Sequence, residues 1–431
     1  MQIERTAALH NLGCKVNAYE TEVMSGFLKN AGYRLVDFDD RADVYVINTC
    51  SVTNIADKKS RQMIRQAKRR NENACIVACG CFVNTASADV LDDLPIDILI
   101  GNNERGKLIQ LLEDFFGDSD AGNDVRTAKT SQLVAVSDIN KKGVGFEDLT
   151  LSENNGHTRA FIKVQDGCDQ FCTYCIIPYA RGRARSKAKD SVLSEVRGLA
   201  AAGYREIVIN GIHLSSYGKD NGSSLLELIK AVHDVDGVDR IRLGSLEPNV
   251  VTEDFARELS SLDKICPHFH LSLQSGSDTV LKRMNRRYDT ASYLENCDIL
   301  RKYFEHPAIT TDIITGFPGE TKEEFSETYE FVKRVNFYEL HVFPYSVREG
   351  TKAAGMPGQI IEAEKKRRAN ILIDLGHIMS EEFRSFYNGK EVEVLFEEKV
   401  NDEYVGYSRE YVKYSVKSAE NLINRVCKIK V

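Results

Sequence analysis

The chain has 431 residues, of which 42% are hydrophobic and 28% charged, and its formal net charge is −7 at pH 7. This is the composition of a soluble globular protein with enough apolar side chains for buried cores, and the length predicts two or three domains. The sequence has no apolar run of about 18 residues, as a membrane-spanning helix would require, and its start lacks the pattern of a signal peptide. We therefore expect a cytoplasmic protein.

Residues 1–117 are predicted to form an N-terminal domain in which buried strands alternate with helices. The apolar runs 43–48 and 75–78 are typical of strands, and the helical stretches include 17–30 and 56–70. Alternation of this kind predicts a parallel sheet that is covered by helices on both faces. In such sheets, the chemistry lies in the loops that follow the strands.

The chain contains eleven cysteines, and a reducing compartment would keep them as thiols. Thiols follow three of the predicted N-terminal strands, so that three loops would bring them to one edge of the sheet. These thiols are Cys14, Cys50, Cys79 and Cys81. Core packing is the alternative, since buried cysteine is common, and we prefer it for four others. These four are Cys75, Cys266, Cys297 and Cys427.

Residues 118–157 are rich in Asp, Asn, Gly, Lys and Ser, which predicts a linker with one strand at 132–136. Residues 158–361 follow as a second domain of βα units. The predicted strands of these units are 161–165, 206–210, 240–244, 269–274, 309–315 and 339–343. Six units suggest an open, partial (β/α)6 barrel, because a full barrel of this kind has eight.

Residues 362–431 complete the chain. A helical connector is predicted at 362–384, and residues 391–431 alternate polar and apolar side chains in short strands. This pattern predicts a small all-β module. The fold class is therefore α/β, with a parallel N-terminal domain, a central partial barrel and a small C-terminal β-barrel.

A loop directly after the first barrel strand carries three closely spaced thiols. Residues 164–175 are VQDGCDQFCTYC, so that Cys168, Cys172 and Cys175 have the spacing CxxxCxxC. Three thiolates on one short loop can hold three irons of a four-iron cluster and leave the fourth iron open, where it can bind the amino and carboxylate groups of a methionine. A structural zinc site would need a fourth ligand nearby, and a redox CxxC pair would not need Cys168. The spacing therefore favours an iron–sulfur cluster.

This loop resembles that of the radical S-adenosylmethionine enzymes, and the chain as a whole resembles their methylthiotransferase branch. The resemblance rests on stretches that follow the family's order along nearly the whole chain. They are LGCKVNAYETE (12–22), INTCSVT (47–53), TRAFIKVQDGC (158–168), IIPYARG (176–182), LSLQSGS (271–277), TDIITGFPGE (311–320) and HVFPYS (341–346). The first stretch is similar to the subgroup that acts on threonylcarbamoyladenosine in tRNA.

The resemblance implies two [4Fe-4S] clusters and S-adenosylmethionine as cofactors. In the family, three cysteines of the N-terminal domain bind an auxiliary cluster, and their motifs match Cys14, Cys50 and Cys81 in this chain. This sequence departs from the family pattern by a further thiol at Cys79 and by Asn84, where a glutamine is usual. Cys79 therefore stays open as an alternative third ligand.

Polar residues near the ends of the barrel strands are candidates for holding S-adenosylmethionine, because ligands of such barrels bind at the carboxyl ends of the strands. The candidates are Asn210, His213, Ser245, Glu247, Gln274 and Asp312. A polar residue at such a position can also cap a turn, which is the alternative for each of them. We predict no catalytic side chain beyond the cluster ligands.

Basic residues are clustered in two runs despite the negative net charge. One run recurs at intervals of three and four, which would place it on one face of a helix; its members are Lys58, Arg61, Arg65 and Lys68. The other run has a basic residue at every second position, so that an extended segment would present all of them on one side; its members are Arg181, Arg183, Arg185, Lys187 and Lys189. Both runs predict contacts with an RNA backbone, and solvated surface charge is the alternative.

The C-terminal module interleaves aromatic and basic residues, and it resembles the small RNA-binding barrel (TRAM) attached to this family. The residues are Tyr404, Tyr407, Arg409, Tyr411, Lys413, Tyr414 and Lys417. Such a mixture suits single-stranded RNA, whose bases stack on aromatic rings.

The resemblance also implies a reaction. One S-adenosylmethionine methylates a sulfur of the auxiliary cluster, and an electron from the other cluster cleaves a second one to give a 5′-deoxyadenosyl radical. The radical removes hydrogen from C2 of a modified adenosine at position 37, beside the tRNA anticodon, and the methylthio group is transferred there. The implied partners are a tRNA anticodon loop and an electron donor such as flavodoxin or ferredoxin.

Four alternatives stay open at the level of the sequence. Two related reactions are methylthiolation of isopentenyladenosine in tRNA and methylthiolation of a ribosomal protein aspartate. A coproporphyrinogen-type radical enzyme would lack the Cys14, Cys50 and Cys81 set. From another class, the chain could be an RNA-binding iron–sulfur protein that senses redox state without turnover.

Overall fold

The computed structural model describes residues 5–120, 132–151 and 158–431. The first sheet is parallel throughout and has the strand order β2-β1-β3-β4-β5-β6. Its strands are β1 (Thr6–Asn11), β2 (Arg34–Leu35), β3 (Val44–Thr49), β4 (Cys75–Gly80), β5 (Ile98–Ile100) and β6 (Leu133–Ala135). Its helices are α1 (Lys15–Asn30), α2 (Asn54–Arg70), α3 (Cys81–Thr85), α4 (Ala88–Asp92) and α5 (Leu108–Asp120).

Helices cover both faces of this sheet, as the sequence predicts. Every residue of β3 and of β4 is buried, which is the pattern of central strands in a parallel sheet. On one face of the sheet, Ile47 of β3 belongs to the same apolar cluster as Ile64 of α2. On the other face, Val46 of β3 belongs to the same apolar cluster as Met24 of α1.

The predicted strand at 132–136 is present as β6, and it pairs with β5. The N-terminal sheet therefore includes part of the segment that the sequence assigns to a linker. Two other parts of that segment, 121–131 and 152–157, lie outside the described residues. Residues 136–151 run on without a strand, and Leu149 and Leu151 are buried in the core of the central domain.

The central domain is built around parallel strands in the order β7-β9-β10 and β11-β12-β13. Isolated parallel bridges join Ile241 to Ile265 and Leu246 to Leu271, so that the second group continues the first. The strands are β7 (Arg159–Asp166), β8 (Arg185–Ser186), β9 (Glu206–Gly211), β10 (Arg240–Leu243), β11 (His268–His270), β12 (Ala308–Thr315) and β13 (Glu339–Pro344). Apart from β8, which is antiparallel to β7, these are the six strands of the predicted partial barrel.

Helices alternate with these strands and form an outer layer. They are α6 (Ile177–Arg181), α7 (Lys189–Ala201), α8 (Leu225–His233), α9 (Glu253–Ser260), α10 (Asp278–Arg283), α11 (Thr290–Tyr303) and α12 (Lys322–Val335). Side chains of the strands alternate between this layer and the lumen. Ile241 and Leu243 of β10 belong to the core under the helices, whereas Arg242 between them points to the other side. Helix α1 of the N-terminal domain packs against β7.

One predicted strand is shorter than expected. The sequence predicts residues 269–274, but β11 ends at His270. Beyond it, Gln274 has a φ of 70°, a left-handed conformation that interrupts an extended ladder. The apolar alternation in this stretch does not reveal that turn.

The C-terminal part consists of α13 (Glu362–Ser385) and an antiparallel sheet with the strand order β16-β15-β14-β17. Its strands are β14 (Glu391–Val400), β15 (Glu403–Ser408), β16 (Lys413–Lys417) and β17 (Val426–Lys430). The sheet is irregular between Phe396 and Glu398, where such a bulge increases curvature. This curled sheet is the small β module that the sequence predicts.

The module docks at the amino ends of the barrel strands through buried arginines. Arg240 donates to Glu393 Oε1 at 2.9 Å and to the Tyr407 carbonyl at 3.0 Å, and Arg242 donates to the Arg409 carbonyl at 2.8 Å. Glu206 lies between the two arginines and accepts from Arg242 Nε at 2.7 Å. A polar interface of this kind depends on complete pairing of its charges.

The aromatic residues of the module serve this interface. Tyr404 is buried, and the rings of Tyr407 and Tyr411 stack at 4.7 Å. The Arg159 guanidinium lies 4.9 Å from both ring centroids. Tyr407 and Tyr411, which the sequence assigns to stacking on RNA bases, therefore pack against each other and against a cation of the barrel. Lys413 and Lys417 are exposed.

We expect Glu206→Ala to lower the stability of the protein, because it leaves Arg242 buried without a carboxylate, which costs about 3–5 kcal/mol in comparable cases. The measurement is anaerobic thermal unfolding followed by far-UV circular dichroism. Glu253→Ala is the matched control, since it removes an exposed carboxylate that pairs with Lys302, and surface pairs contribute little. Equal melting temperatures for the two variants would contradict the role of Glu206.

Candidate active site

The CxxxCxxC loop leaves the carboxyl end of β7 in a conformation that requires glycine. Gly167 has a φ of 71°, and a Cβ at this position would lie 2.0 Å from the Arg183 carbonyl oxygen. The Cys168 amide donates to the Gly182 carbonyl at 3.0 Å, and the Cys175 amide donates to the Cys172 carbonyl at 3.0 Å. The first bond ties the start of the loop to the end of α6, and the second closes a turn within the loop.

The three thiols of the loop lie close enough to influence one another. Burial, together with the nearby Cys172, raises the pKa of Cys168 to about 11 and that of Cys175 to about 12. Arg286 Nη1 lies 3.2 Å from Cys172 Sγ. Thiolates are costly in such a site unless a cation binds them, so the donor set suits an iron cluster.

A second group of thiols lies at the carboxyl edge of the N-terminal sheet. Cys14 follows β1, Cys50 follows β3 and Cys81 follows β4. Burial raises the pKa of Cys14, and burial together with the nearby Cys81 raises the pKa of Cys50 to about 11; Cys81 also contributes to the rise at Cys14. A Cβ at Gly13 would lie 2.9 Å from Cys50 Sγ, so that a glycine is needed for this thiol to approach the β1 loop.

Cys79 lies on the other face of the sheet. Its Sγ is 3.9 Å from Met24 Sδ and 3.6 Å from the Ile47 carbonyl, and it belongs to the apolar cluster beneath α1. Cys81 is not part of β4: Gly80, with a φ of 95°, turns the chain out of the sheet, and Cys81 is the first residue of α3. Cys14, Cys50 and Cys81 thus follow three strands at one edge of the sheet, whereas Cys79 packs in the core.

A buried network of charges joins the two groups of thiols. Arg181, six residues after Cys175, donates to Glu20 Oε1 and Oε2 at 3.0 Å each and to Asp166 Oδ1 at 3.0 Å. Lys163 donates to Glu20 Oε1 at 2.9 Å and to Asp166 Oδ2 at 3.2 Å. Burial disfavours a charged Glu20, but the surrounding cations, led by Arg105, hold its pKa at about 2.

The network reaches the N-terminal thiols through two asparagines. Arg181 Nη2 donates to Asn17 Oδ1 at 2.6 Å, and the same oxygen lies 3.8 Å from Cys14 Sγ. Asn102 Nδ2 lies 3.7 Å from Cys81 Sγ and donates to the Ala180 carbonyl at 2.8 Å. The position of the N-terminal thiols is therefore tied to that of the CxxxCxxC loop.

The basic run at 181–189 is mostly internal, which corrects the expectation that it contacts RNA. Arg181, Arg185 and Lys187 are buried, and Lys187 pairs with Glu195 at 2.7 Å. Glu20, one of the acidic partners of Arg181, comes from a distant segment, which a local pattern of charge does not reveal. Arg183 and Lys189 are the exposed members of the run.

Two of the predicted S-adenosylmethionine contacts lie beside the CxxxCxxC loop. His213 Nε2 makes a short hydrogen bond with Glu247 Oε2, and Gln170 of the loop donates to the same oxygen at 2.8 Å. Arg286 Nη2 lies 3.6 Å from Glu247 Oε1. Burial raises the pKa of Glu247, but the His213 hydrogen bond and Arg286 outweigh burial and hold it below its usual value.

The other four predicted contacts are more dispersed. Asn210 is buried at the end of β9, and Ser245 is exposed after β10. Gln274 is buried, and its amide donates to the Asp312 carbonyl at 2.8 Å. Asp312 Oδ2 lies 3.3 Å from His270 Nε2 on the lumen side of β12. Asp312 is therefore placed with the lumen rather than with the cysteine loop.

The basic face of α2 is on the surface. Lys58, Arg61 and Arg65 line a shallow depression together with Gln62 and Arg69. Lys68, which the sequence assigns to the same face, instead lies 3.9 Å from Asp97 and donates to the Ala74 carbonyl at 3.3 Å.

Sequence reasoning missed Gln170, Arg286, Glu20 and Asp166. Gln170 and Asp166 lie within or next to the cysteine motif, and a polar residue at such a position is a usable signal. Arg286 and Glu20 come from other elements, so only the fold shows that they reach the thiols.

An α/β barrel with a CxxxCxxC loop at its mouth is the arrangement of a radical S-adenosylmethionine enzyme, and comparison with known families agrees. Residues 162–332 match the model of the radical SAM superfamily. Residues 6–101 match a model described as the uncharacterized protein family UPF0004.

Over nearly its whole length the chain is similar to tRNA methylthiotransferases. It is 42% identical to threonylcarbamoyladenosine tRNA methylthiotransferase MtaB of Bacillus subtilis, over 99% of this chain and 93% of that protein. It is 39% identical to the protein of the same name from Thermotoga maritima, over 95% of this chain and 91% of that protein. A tRNA-2-methylthio-N(6)-dimethylallyladenosine synthase of a Thermoanaerobacter species is 36% identical over 90% of this chain and 81% of that protein. The chain belongs to the family of radical SAM tRNA methylthiotransferases.

Solved structures share the fold. The radical S-adenosylmethionine methyltransferase TsrM from Kitasatospora setae, with cobalamin and a [4Fe-4S] cluster bound, matches with a TM-score of 0.60 and 14% identity. The match covers 82% of this chain and 74% of that chain. At this identity the similarity concerns the fold alone.

The placement of Cys79 and Cys81 predicts different effects on iron content. We expect about eight irons per chain in the reconstituted protein and in Cys79→Ala, but about four in Cys81→Ala, because a cluster needs thiolate ligands that face it. The measurement is anaerobic iron and sulfide analysis, with circular dichroism to confirm that both variants fold. Loss of iron in Cys79→Ala with retention in Cys81→Ala would reverse the assignment.

Proposed function

We propose that this protein inserts a methylthio group at C2 of threonylcarbamoyladenosine 37 in the anticodon loop of tRNA. The observation that carries the proposal is the joining of two three-thiol groups, one from each domain, by a single buried network of charges. A reaction that activates a carbon and then delivers sulfur to it needs the radical source and the sulfur donor at a fixed distance from one substrate atom.

Each residue group has a defined part in this proposal. Cys168, Cys172 and Cys175 would hold the first [4Fe-4S] cluster, and Cys14, Cys50 and Cys81 the auxiliary one. When bound, these clusters supply the electron for cleavage of S-adenosylmethionine and the sulfur for transfer. His213, Glu247, Gln170 and Arg286 lie at the mouth of the barrel beside the first group.

The charges at this mouth suit an amino acid moiety. Glu247 is ionised and can accept hydrogen bonds from an ammonium group. Arg286 is close to both Cys172 and Glu247, where its guanidinium can pair with a carboxylate. We therefore assign these two side chains to the methionine end of S-adenosylmethionine, and Asn210, Gln274 and Ser245 to the outer part of the same site.

The basic face of α2 supports binding of tRNA. Helix α2 begins four residues after Cys50, and Lys58, Arg61 and Arg65 are on its surface. Phosphate groups that approach the N-terminal thiols would therefore meet cations. Lys413 and Lys417 of the C-terminal module, which stay exposed, could contact a more distant part of the tRNA. The reductant would be a flavodoxin or a ferredoxin.

The test is an anaerobic reaction of the reconstituted protein with S-adenosylmethionine, a reductant and tRNA. Two tRNAs are compared that differ only at position 37, which carries either the threonylcarbamoyl or the isopentenyl group. We expect nucleoside mass spectrometry to show a methylthio group on the first tRNA, and we expect no product from the Cys168→Ala/Cys172→Ala/Cys175→Ala variant.

The other outcomes separate the alternatives. Product on the isopentenyl tRNA alone would show that the substrate is isopentenyladenosine and not threonylcarbamoyladenosine. Cleavage of S-adenosylmethionine with no product on either tRNA would refute a tRNA substrate of these two kinds. Absence of cleavage by protein that contains both clusters would favour a redox sensor.

A further inference from the structure

The lumen of the barrel is polar and open to solvent. His270 and His341 stack with ring centroids 5.6 Å apart, and Asp312 lies 3.3 Å from the first of them. Phe343, two residues after His341 and on the same face of β13, is 51% exposed. A large apolar side chain that is exposed inside a barrel marks a space that can receive a planar group.

Lys15 reaches this space from the N-terminal domain. It is the first residue of α1, directly after Cys14, and its Nζ lies 6.0 Å from the ring centroid of Phe161 on β7. Charged residues of four barrel strands act on its ammonium group: Arg159 of β7 and Arg242 of β10 repel it, and Glu206 of β9 and Asp312 of β12 attract it. Lys15 is thus placed between the N-terminal thiols and the lumen.

The position of Lys15 is unfavourable for the folded protein alone. A cation in the first turn of a helix opposes the helix dipole, and α1 has no acidic residue in that turn. Lys15 is exposed and has neither a hydrogen bond nor an ion pair with any residue that the structure describes. A residue that breaks a local rule without local compensation is a candidate for function.

We propose that Lys15 binds the carboxylate of the threonylcarbamoyl group and thereby selects the substrate. This inference rests on the proposed function. The threonylcarbamoyl group carries a carboxylate, whereas an isopentenyl group is apolar and would leave Lys15 desolvated without a partner. His270 and His341 lie on the facing wall, where they can contact the polar urea and hydroxyl groups of the same substituent.

The experiment measures binding by the reconstituted protein without reductant, so that no turnover occurs. Three fluorescent anticodon stem-loops are compared: one with threonylcarbamoyladenosine at position 37, one with its methyl ester and one with unmodified adenosine. The proteins are wild type, Lys15→Gln, Lys15→Arg and, as a matched control, Lys333→Gln. Lys333 is exposed on α12, in the outer layer of the barrel.

We expect wild type and Lys333→Gln to prefer the free acid over the ester by about 10- to 100-fold, the usual range for a charge-assisted hydrogen bond. Lys15→Gln should bind the acid and the ester equally, and Lys15→Arg should keep most of the preference. Iron content and the cluster absorption spectrum should be the same in all four proteins, because the lysine acts on the substrate and not on the neighbouring Cys14.

An unchanged preference in Lys15→Gln would overturn the inference, and so would a loss of preference that follows loss of iron. Methylthiolation assays with the same stem-loops separate this from the proposed function. If wild type modifies the threonylcarbamoyl substrate while Lys15→Gln keeps the preference for the acid, only the role of Lys15 falls. If wild type neither modifies nor prefers that substrate, the proposed function and the role of Lys15 are both refuted.

Discussion

The buried ion network of Glu20, Arg181 and Asp166 is the interaction on which the rest of the site depends. Glu20 comes from the N-terminal domain, and the other two flank the CxxxCxxC loop. Charges without water are stable only when the partners are fully paired, so the two domains have one low-energy arrangement. That arrangement sets the distance between the two groups of thiols.

The same principle governs the opposite end of the barrel. Arg240 and Arg242 are buried there and Arg159 is partly buried, and their partners are Glu206 and groups of the C-terminal module. The module therefore closes the amino end of the lumen with polar contacts, and its tyrosines serve as walls for arginine side chains. The open part of the lumen is consequently at the side of the thiols, where a substrate must enter.

Much of the fold could be predicted because its elements have strong periodicity. The alternation of buried strands such as β3 and β4 with amphipathic helices such as α2 and α12 is a local property, and the observed bounds differ from the predicted ones by a few residues. Local patterns are less informative about whether a charged side chain is exposed or buried. Arg183 and Arg185 have the same spacing and composition around them, yet one is exposed and the other is buried.

The sequence by itself determined the class of protein, because a cluster-binding motif has ligands that are close in the chain: Cys168, Cys172 and Cys175 lie within eight residues. It also determined the order of the domains and most of the helices and strands. Only the tertiary structure decided between Cys79 and Cys81, since it shows that Cys79 is still part of β4 and packs beneath α1, whereas Cys81 lies beyond the end of the strand. It alone decided the pairing of Arg181 with Glu20 and the place of Lys15 beside Phe161, because these residues are more than a hundred positions apart in the chain and meet only when the domains pack.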